Sequence, residues 1–63
     1  MIADIEYKNY GLFTSFYPIT DKGRSAWIEL ANQTDGTGKV PFHHEKSTIA
    51  QFRAAGYIVH KSK

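Results

Sequence analysis

The sequence contains no cysteine, and in a chain of 63 residues this restricts the fold more than any other feature. Small domains are commonly stabilised by disulfides or by zinc held on cysteine thiolates, and neither device is open to this chain. Its apolar side chains must therefore be buried together in one core. We predict a single domain over residues 1–63 that is stabilised by packing, with a homodimer as an additional possibility.

The N-terminal residues predict a β-hairpin. Residues 2–7 alternate loosely, and residues 8–11 contain Asn9 and Gly11, which tolerate the positive φ angles of a tight turn. The second arm, residues 12–17, has aromatic side chains on both faces, so we expect a central strand. Pro18 should end it, because proline lacks the N–H group that a central ladder needs.

A first amphipathic helix is predicted after this strand. Thr20 or Asp21 is a suitable N-cap, and the apolar residues that follow share one helical face: Trp27, Leu30 and Ala31. The helix should end within residues 32–38, which favour turns. Val40 and Phe42 then alternate with Lys39, Pro41 and His43, and Pro41 makes this short strand either an edge strand or the lead-in of the next helix.

A second helix is predicted over residues 45–55, with Ile49 and Phe52 on its buried side. Gly56 stands where a left-handed C-cap would lie, which should bring Phe52 and Tyr57 into contact in a Schellman motif. Residues 57–60 form the last predicted strand. The order β-β-α-β-α-β predicts an α+β fold in which two helices pack on one face of a small sheet.

Catalytic machinery is not recognisable in this sequence. Nucleophilic catalysis would require a Ser, Thr or Cys beside a base, but there is no Gly-x-Ser-x-Gly elbow, and the six carboxylates are scattered. His43, His44 and His60 do not have the spacing of a metal site. We therefore expect no enzymatic activity, no metal and no cofactor.

The positive charge is concentrated in the C-terminal part of the chain. Residues 39–63 have a net charge of +4, from five cations against Glu45: Lys39, Lys46, Arg53, Lys61 and Lys63. A small nucleic-acid-binding module could use these five residues as phosphate contacts. An ordinary solvated surface would explain the same distribution.

Residues 8–13, with Phe42, His43 and His44 further on, resemble the paired nucleic-acid-binding motifs of cold-shock domains. The resemblance implies that Tyr10, Phe13 and Phe42 stack on unpaired bases. It covers a small part of the chain, and Asn9 stands where that family usually has glycine. The helix around Trp27 has no counterpart in a cold-shock barrel.

The function that the sequence favours is that of a small non-enzymatic regulator or inhibitor that binds a larger protein. Accessory proteins of phages and other mobile elements are often of this kind, which is an analogy. The expected contacts are residue types that commonly dominate interfaces: Tyr7, Tyr10, Tyr17 and Arg24. No apolar run approaches the length of a membrane span, so we expect a cytoplasmic protein without membrane contact.

Overall fold

The helices and strands follow one another in the predicted order β-β-α-β-α-β. A computed structural model describes residues 2–62. Its elements are β1 (Ile5–Asn9), β2 (Phe13–Pro18), α1 (Asp21–Gln33), β3 (Lys39–Pro41), α2 (Glu45–Ala54) and β4 (Val59–Lys61). A short 3₁₀ helix, Phe42–His44, leads from β3 into α2.

The strands form one four-stranded mixed sheet in the order β3-β2-β1-β4. β1 and β2 are the two antiparallel arms of the hairpin, with Ile5 opposite Pro18 and Asn9 opposite Thr14. β3 is antiparallel to β2, and β4 is parallel to β1. β2 is therefore an inner strand and β3 an edge strand, as the aromatic pattern and Pro41 predict.

Both helices cover the same face of this sheet. The register places Ile5, Phe16, Val40 and Val59 on one face. These side chains form the core together with residues from the two helices: Ala26, Ile49 and Phe52. The predicted α+β architecture, with two helices on one face, is confirmed.

Specific contacts attach α1 to the sheet. Thr20 is its N-cap, and the Thr20 hydroxyl accepts a hydrogen bond from the backbone N–H of Gly23 at 3.0 Å. Further along the helix, Trp27 Nε1 donates to the carbonyl of Phe16 in β2 at 2.6 Å. The indole thus fixes the helix over the inner strand.

The end of α2 has the predicted Schellman geometry. Gly56 adopts a φ of 96°, in the left-handed region that glycine tolerates best. The N–H of Gly56 bonds the carbonyl of Arg53 and the N–H of Tyr57 bonds the carbonyl of Phe52, both at 3.0 Å. The Phe52 and Tyr57 rings meet edge to face, with centroids 6.4 Å apart.

Several predicted boundaries were wrong. β1 starts at Ile5 and continues through Asn9, so the turn is later than expected, and β4 starts at Val59 because Tyr57 belongs to the helix cap. Phe42 does not point inward from β3: the chain leaves the strand there to enter the 3₁₀ helix, and the side chain is exposed.

No helix within residues 2–62 has the length and apolarity to cross a membrane.

Candidate functional site

The face of the sheet opposite the helices carries the candidate site. Strand register places eight side chains on this face: Glu6 and Lys8 from β1; Phe13, Ser15 and Tyr17 from β2; Lys39 and Pro41 from β3; His60 from β4. Both helices pack on the other side, so these side chains form an outer surface. We call it the open face.

Tyr10 folds from the hairpin turn onto this face. Its ring stacks on Phe13 with centroids 5.1 Å apart and an interplanar angle of 25°. Its hydroxyl lies 2.9 Å from the hydroxyl of Tyr17. Because Phe13 and Tyr17 flank Ser15 on β2, Tyr10 reaches across Ser15, which is only 6% exposed despite lying on the outer side of the sheet.

Two lysines border the aromatic side chains. Lys8 and Lys39 both lie opposite Ser15, one on each neighbouring strand. The Lys8 ammonium lies 5.4 Å from the ring centroid of Tyr10, and the Lys39 ammonium lies 5.1 Å from that of Phe13. Both are cation–π distances, so each lysine is held beside an aromatic ring.

The paired tyrosine hydroxyls differ in their acidity. The hydrogen bond from Tyr10 lowers the pKa of Tyr17, and the Ser15 hydroxyl and the charges of Lys8 and Lys39 act in the same direction. The same bond raises the pKa of Tyr10. Either hydroxyl can be the donor while both are neutral, and Tyr10 is the donor once Tyr17 has lost its proton.

Further exposed apolar side chains lie at the hairpin end of the sheet. Leu12 is 84% exposed, Phe42 is 57% exposed and Tyr10 is 50% exposed. The N–H of Phe42 bonds the carbonyl of Leu12 at 3.3 Å, so the two segments are adjacent. We define the aromatic patch as the five residues Tyr10, Leu12, Phe13, Tyr17 and Phe42.

The residues predicted to bind a protein partner are divided between surfaces. Tyr10 and Tyr17 lie together in the aromatic patch. Tyr7 lies on the helix-covered side, where its ring packs on Phe16 with centroids 5.7 Å apart. Arg24 is exposed on α1. The structure thus brings together two of the four.

The predicted phosphate contacts are divided in the same way. Lys39 borders the aromatic patch, whereas Lys46 and Arg53 lie on α2 and Lys61 lies on β4, on the helix side of the sheet. Lys63 falls outside the described residues. Lys39 therefore lies on a different surface from Lys46, Arg53 and Lys61.

A cleft of about 580 Å³ separates α2 from the nearby strand β1. It is lined by Tyr7, Glu45, Lys46, Ile49, Ala50 and Arg53. Lys61 lies directly opposite Tyr7 in the sheet register and so flanks the cleft. The Arg53 guanidinium donates to the carbonyl of Val59 at 2.9 Å, which fixes this side chain against β4.

Glu45 is the acidic residue in the lining of this cleft, and neutral donors engage its carboxylate. Thr14 Oγ1 donates to Glu45 Oε1 at 2.5 Å, and Asn9 Nδ2 donates to the same oxygen at 3.0 Å. These bonds, followed by the charges of Lys61 and Lys46, lower the pKa of Glu45. Its main role is to attach the start of α2 to the hairpin.

Sequence reasoning missed Leu12 and Lys8 as surface residues. Leu12 follows Gly11 directly, and a leucine beside a turn glycine is a detectable signal of an exposed apolar side chain. Phe42 was named as an exposed residue only through the resemblance to cold-shock domains, because its alternation with Val40 is typical of an inward-facing strand residue. Lys8 could be placed only once the hairpin register was known.

The adjacent histidines lie in the 3₁₀ helix, where the His43 and His44 ring centroids are 4.2 Å apart. Within residues 2–62, no group of three or more acidic, histidine or cysteine side chains is arranged to hold a metal ion.

Comparisons with protein-family models, curated proteins and solved structures give no match to this chain. The functional argument therefore depends on the surfaces described above.

Proposed function

We propose that this protein is a non-enzymatic regulator or inhibitor that binds a larger protein through its aromatic patch. The observation that supports this most strongly is the exposure of Leu12 beside Phe42 and Tyr10, next to an uncovered sheet face. Exposed apolar side chains grouped at one end of a sheet are costly for a small monomer to leave in water, and they commonly mark a binding site.

The composition of the patch suits a protein interface. Tyrosine and phenylalanine supply large contact areas with little conformational entropy to lose, and the Tyr10 ring is already held by Phe13 and Tyr17. An arrangement that is ordered before binding does not have to be ordered at the moment of association. Leu12, at the same end of the sheet, is a side chain that could fill an apolar pocket of the partner.

The charges around the patch define the chemistry of the partner. Lys8 and Lys39 border the rings, whereas Glu6 is the acidic residue that the register places on the open face. A complementary surface would have an apolar centre and an acidic rim. We therefore propose a partner with that surface.

The test uses affinity capture from cells of the source organism, followed by reconstitution of the captured complex from purified components. The double variant Leu12→Ser, Phe42→Ser should lose the captured protein and weaken the reconstituted complex by about 1000-fold, since truncating two central interface residues at about 2 kcal/mol each removes about 4 kcal/mol. Ile28→Ser is the matched control, because Ile28 is 48% exposed but lies on α1.

The proposal is supported only if a stoichiometric complex can be purified and its formation depends on the aromatic patch. Equal binding by wild type, the double variant and Ile28→Ser would reject it. Circular dichroism of all three proteins separates a lost interface from a lost fold.

A second candidate function is binding of single-stranded nucleic acid on the same face. The cation–π pairs of Lys8 with Tyr10 and of Lys39 with Phe13 favour it, because base stacking beside phosphate contacts uses these side-chain types. Fluorescence titration with oligothymidine at increasing salt tests it. Affinity that falls steeply with salt and is lost in Lys39→Glu would favour this function over protein binding.

A further inference from the structure

We propose that the cleft between α2 and β1 binds an acidic segment of a partner protein, with an apolar side chain of that segment inserted between flanking carboxylates. This site lies on the helix-covered side of the sheet and is separate from the aromatic patch. Binding at this site does not depend on the function proposed above.

The floor of the cleft is apolar. Ile49 is a buried core residue, Ala50 is exposed beside it on α2, and the Tyr7 ring closes the sheet side. The volume of about 580 Å³ is sufficient for one or two side chains and falls within the usual range of binding clefts. The small Ala50 side chain leaves this space open.

The rim of the cleft is cationic. Lys46 and Arg53 are seven residues apart on α2, so they lie on the same helical face at either end of Ala50. Lys61 adds a third positive charge from β4. The hydrogen bond from Arg53 to the Val59 carbonyl orients its guanidinium but leaves its charge unneutralised.

The one carboxylate in the lining is outnumbered by the cations around the cleft. Glu45 is turned toward Thr14 and Asn9, which satisfy its oxygen with neutral donors. Three cations against one carboxylate give the site a net charge of +2. A ligand with carboxylates around an apolar side chain matches both the charge and the floor.

An acidic peptide fits this site better than a nucleic acid does. Unpaired bases bind by stacking on free aromatic faces, but the Tyr7 ring packs against Phe16 and is half-buried. Aliphatic side chains make up the rest of the floor. Phosphate contacts alone would leave this apolar surface uncovered.

The probe is a short fluorescein-labelled peptide that alternates leucine with aspartate and glutamate, measured by fluorescence anisotropy at low and at physiological salt. Its comparison peptides replace every acid by the amide or by lysine. Wild-type protein should bind the acidic peptide at least about tenfold more tightly than the amide version, a difference of about 1.4 kcal/mol. The lysine peptide should not bind.

Two pairs of variants locate the site. The double variant Lys46→Glu, Lys61→Glu should weaken binding of the acidic peptide by at least about tenfold. Lys39→Glu, a charge reversal beside the aromatic patch, should leave this binding unchanged. Ala50→Trp should fill the cleft and abolish binding. Ala54→Trp places the same side chain further along α2, outside the cleft lining, and should retain it.

Several results would overturn the proposal: equal binding of acidic and amide peptides, equal effects of Ala50→Trp and Ala54→Trp, or oligothymidine binding that is tighter than that of the acidic peptide and is lost in the double variant Lys46→Glu, Lys61→Glu. Leu12→Ser, Phe42→Ser should bind the acidic peptide normally. Failure of the aromatic patch to bind a partner is thus distinguishable from failure of the cleft. Circular dichroism confirms that each variant is folded.

Discussion

At the scale of a single residue, Tyr10 orders the side chains of the open face. Tyr10 lies at the hairpin turn. Its ring contacts Phe13 at the start of β2, and its hydroxyl meets that of Tyr17, four residues after Phe13 on the same strand. These contacts cover Ser15 and place the ring beside Lys8. One side chain thus orders a surface to which two strands contribute.

The hydrogen bond between the two hydroxyls can be tested by titration. Tyr10→Phe keeps the ring but removes the donor that does most to lower the pKa of Tyr17. The pKa of Tyr17 should therefore rise toward the ordinary tyrosine value of 10.0. The measurement is the ultraviolet absorbance of tyrosinate as a function of pH.

Tyr57→Phe is the control for this titration, because Tyr57 lies at the cap of α2 and not on the open face. It should remove one titrating group and leave the transition of Tyr17 in place. A Tyr17 transition that is the same with and without the Tyr10 hydroxyl would contradict the proposed donor role.

At the scale of elements, the packing of α1 depends on a close backbone approach. Gly23 is buried in the first turn of the helix, and a Cβ atom placed there would lie 1.9 Å from the carbonyl oxygen of Asp4. The same carbonyl accepts the N–H of Ile19 at 2.9 Å, so it cannot move freely. Only glycine fits at this contact.

Gly23→Ala should destabilise the protein by at least about 2 kcal/mol, although alanine is the better helix former by about 1 kcal/mol. The clash is with backbone, which cannot relax by rotating a side chain. Chemical denaturation monitored by circular dichroism measures the change. Ser25→Ala on the same helix is the control and should change the free energy of unfolding by less than about 0.5 kcal/mol.

Sequence predicted the elements that are defined by local interactions. The Gly56 cap of α2 was predicted correctly, and the N-cap of α1 is one of the two predicted residues, Thr20 and not Asp21, because capping depends on residues within one turn of helix. The pairing of β4 with β1 could not be predicted. It joins residues more than fifty positions apart, and only the register of the complete sheet selects it.

The candidate site was less predictable than the fold, for a related reason. Alternation shows that Phe13 and Phe16 point to opposite sides of β2, but it does not show which side the helices cover. That choice depends on Val40 and Val59, from distant strands. Tyr7 and Tyr10 therefore looked equivalent in the sequence and lie on different sides of the sheet.

At the scale of the whole molecule, Asp4 joins three separate parts of the chain. One carboxylate oxygen accepts the Thr20 hydroxyl at 2.7 Å, at the start of α1, and the other accepts the N–H of Ile58 at 2.9 Å, at the entry to β4. The Asp4 side chain is buried, and these bonds lower its pKa. Glu45, whose pKa is also lowered, makes a comparable link between α2 and the hairpin.

These two carboxylates should make the folded protein sensitive to acid. A carboxyl group whose pKa is lower in the folded state stabilises the fold above its unfolded pKa, and that contribution is lost as pH falls through the folded value. The ordinary values are 3.8 for Asp4 and 4.5 for Glu45. The free energy of unfolding should therefore hold steady near neutral pH and decline below about pH 4.5.

Asp4→Asn separates the contribution of Asp4 from that of the other acids. The variant should be less stable than wild type at neutral pH, because an amide is a weaker acceptor and presents an N–H group to one of the two donors. It should also lose less stability on acidification, since the proton that wild-type Asp4 takes up is no longer involved. Asp35→Asn, in the exposed loop after α1, should follow the wild-type curve. Denaturant unfolding at a series of pH values gives the free energy of unfolding of all three proteins as a function of pH. Parallel curves for Asp4→Asn and wild type would show that the ionisation of Asp4 does not cause the acid sensitivity.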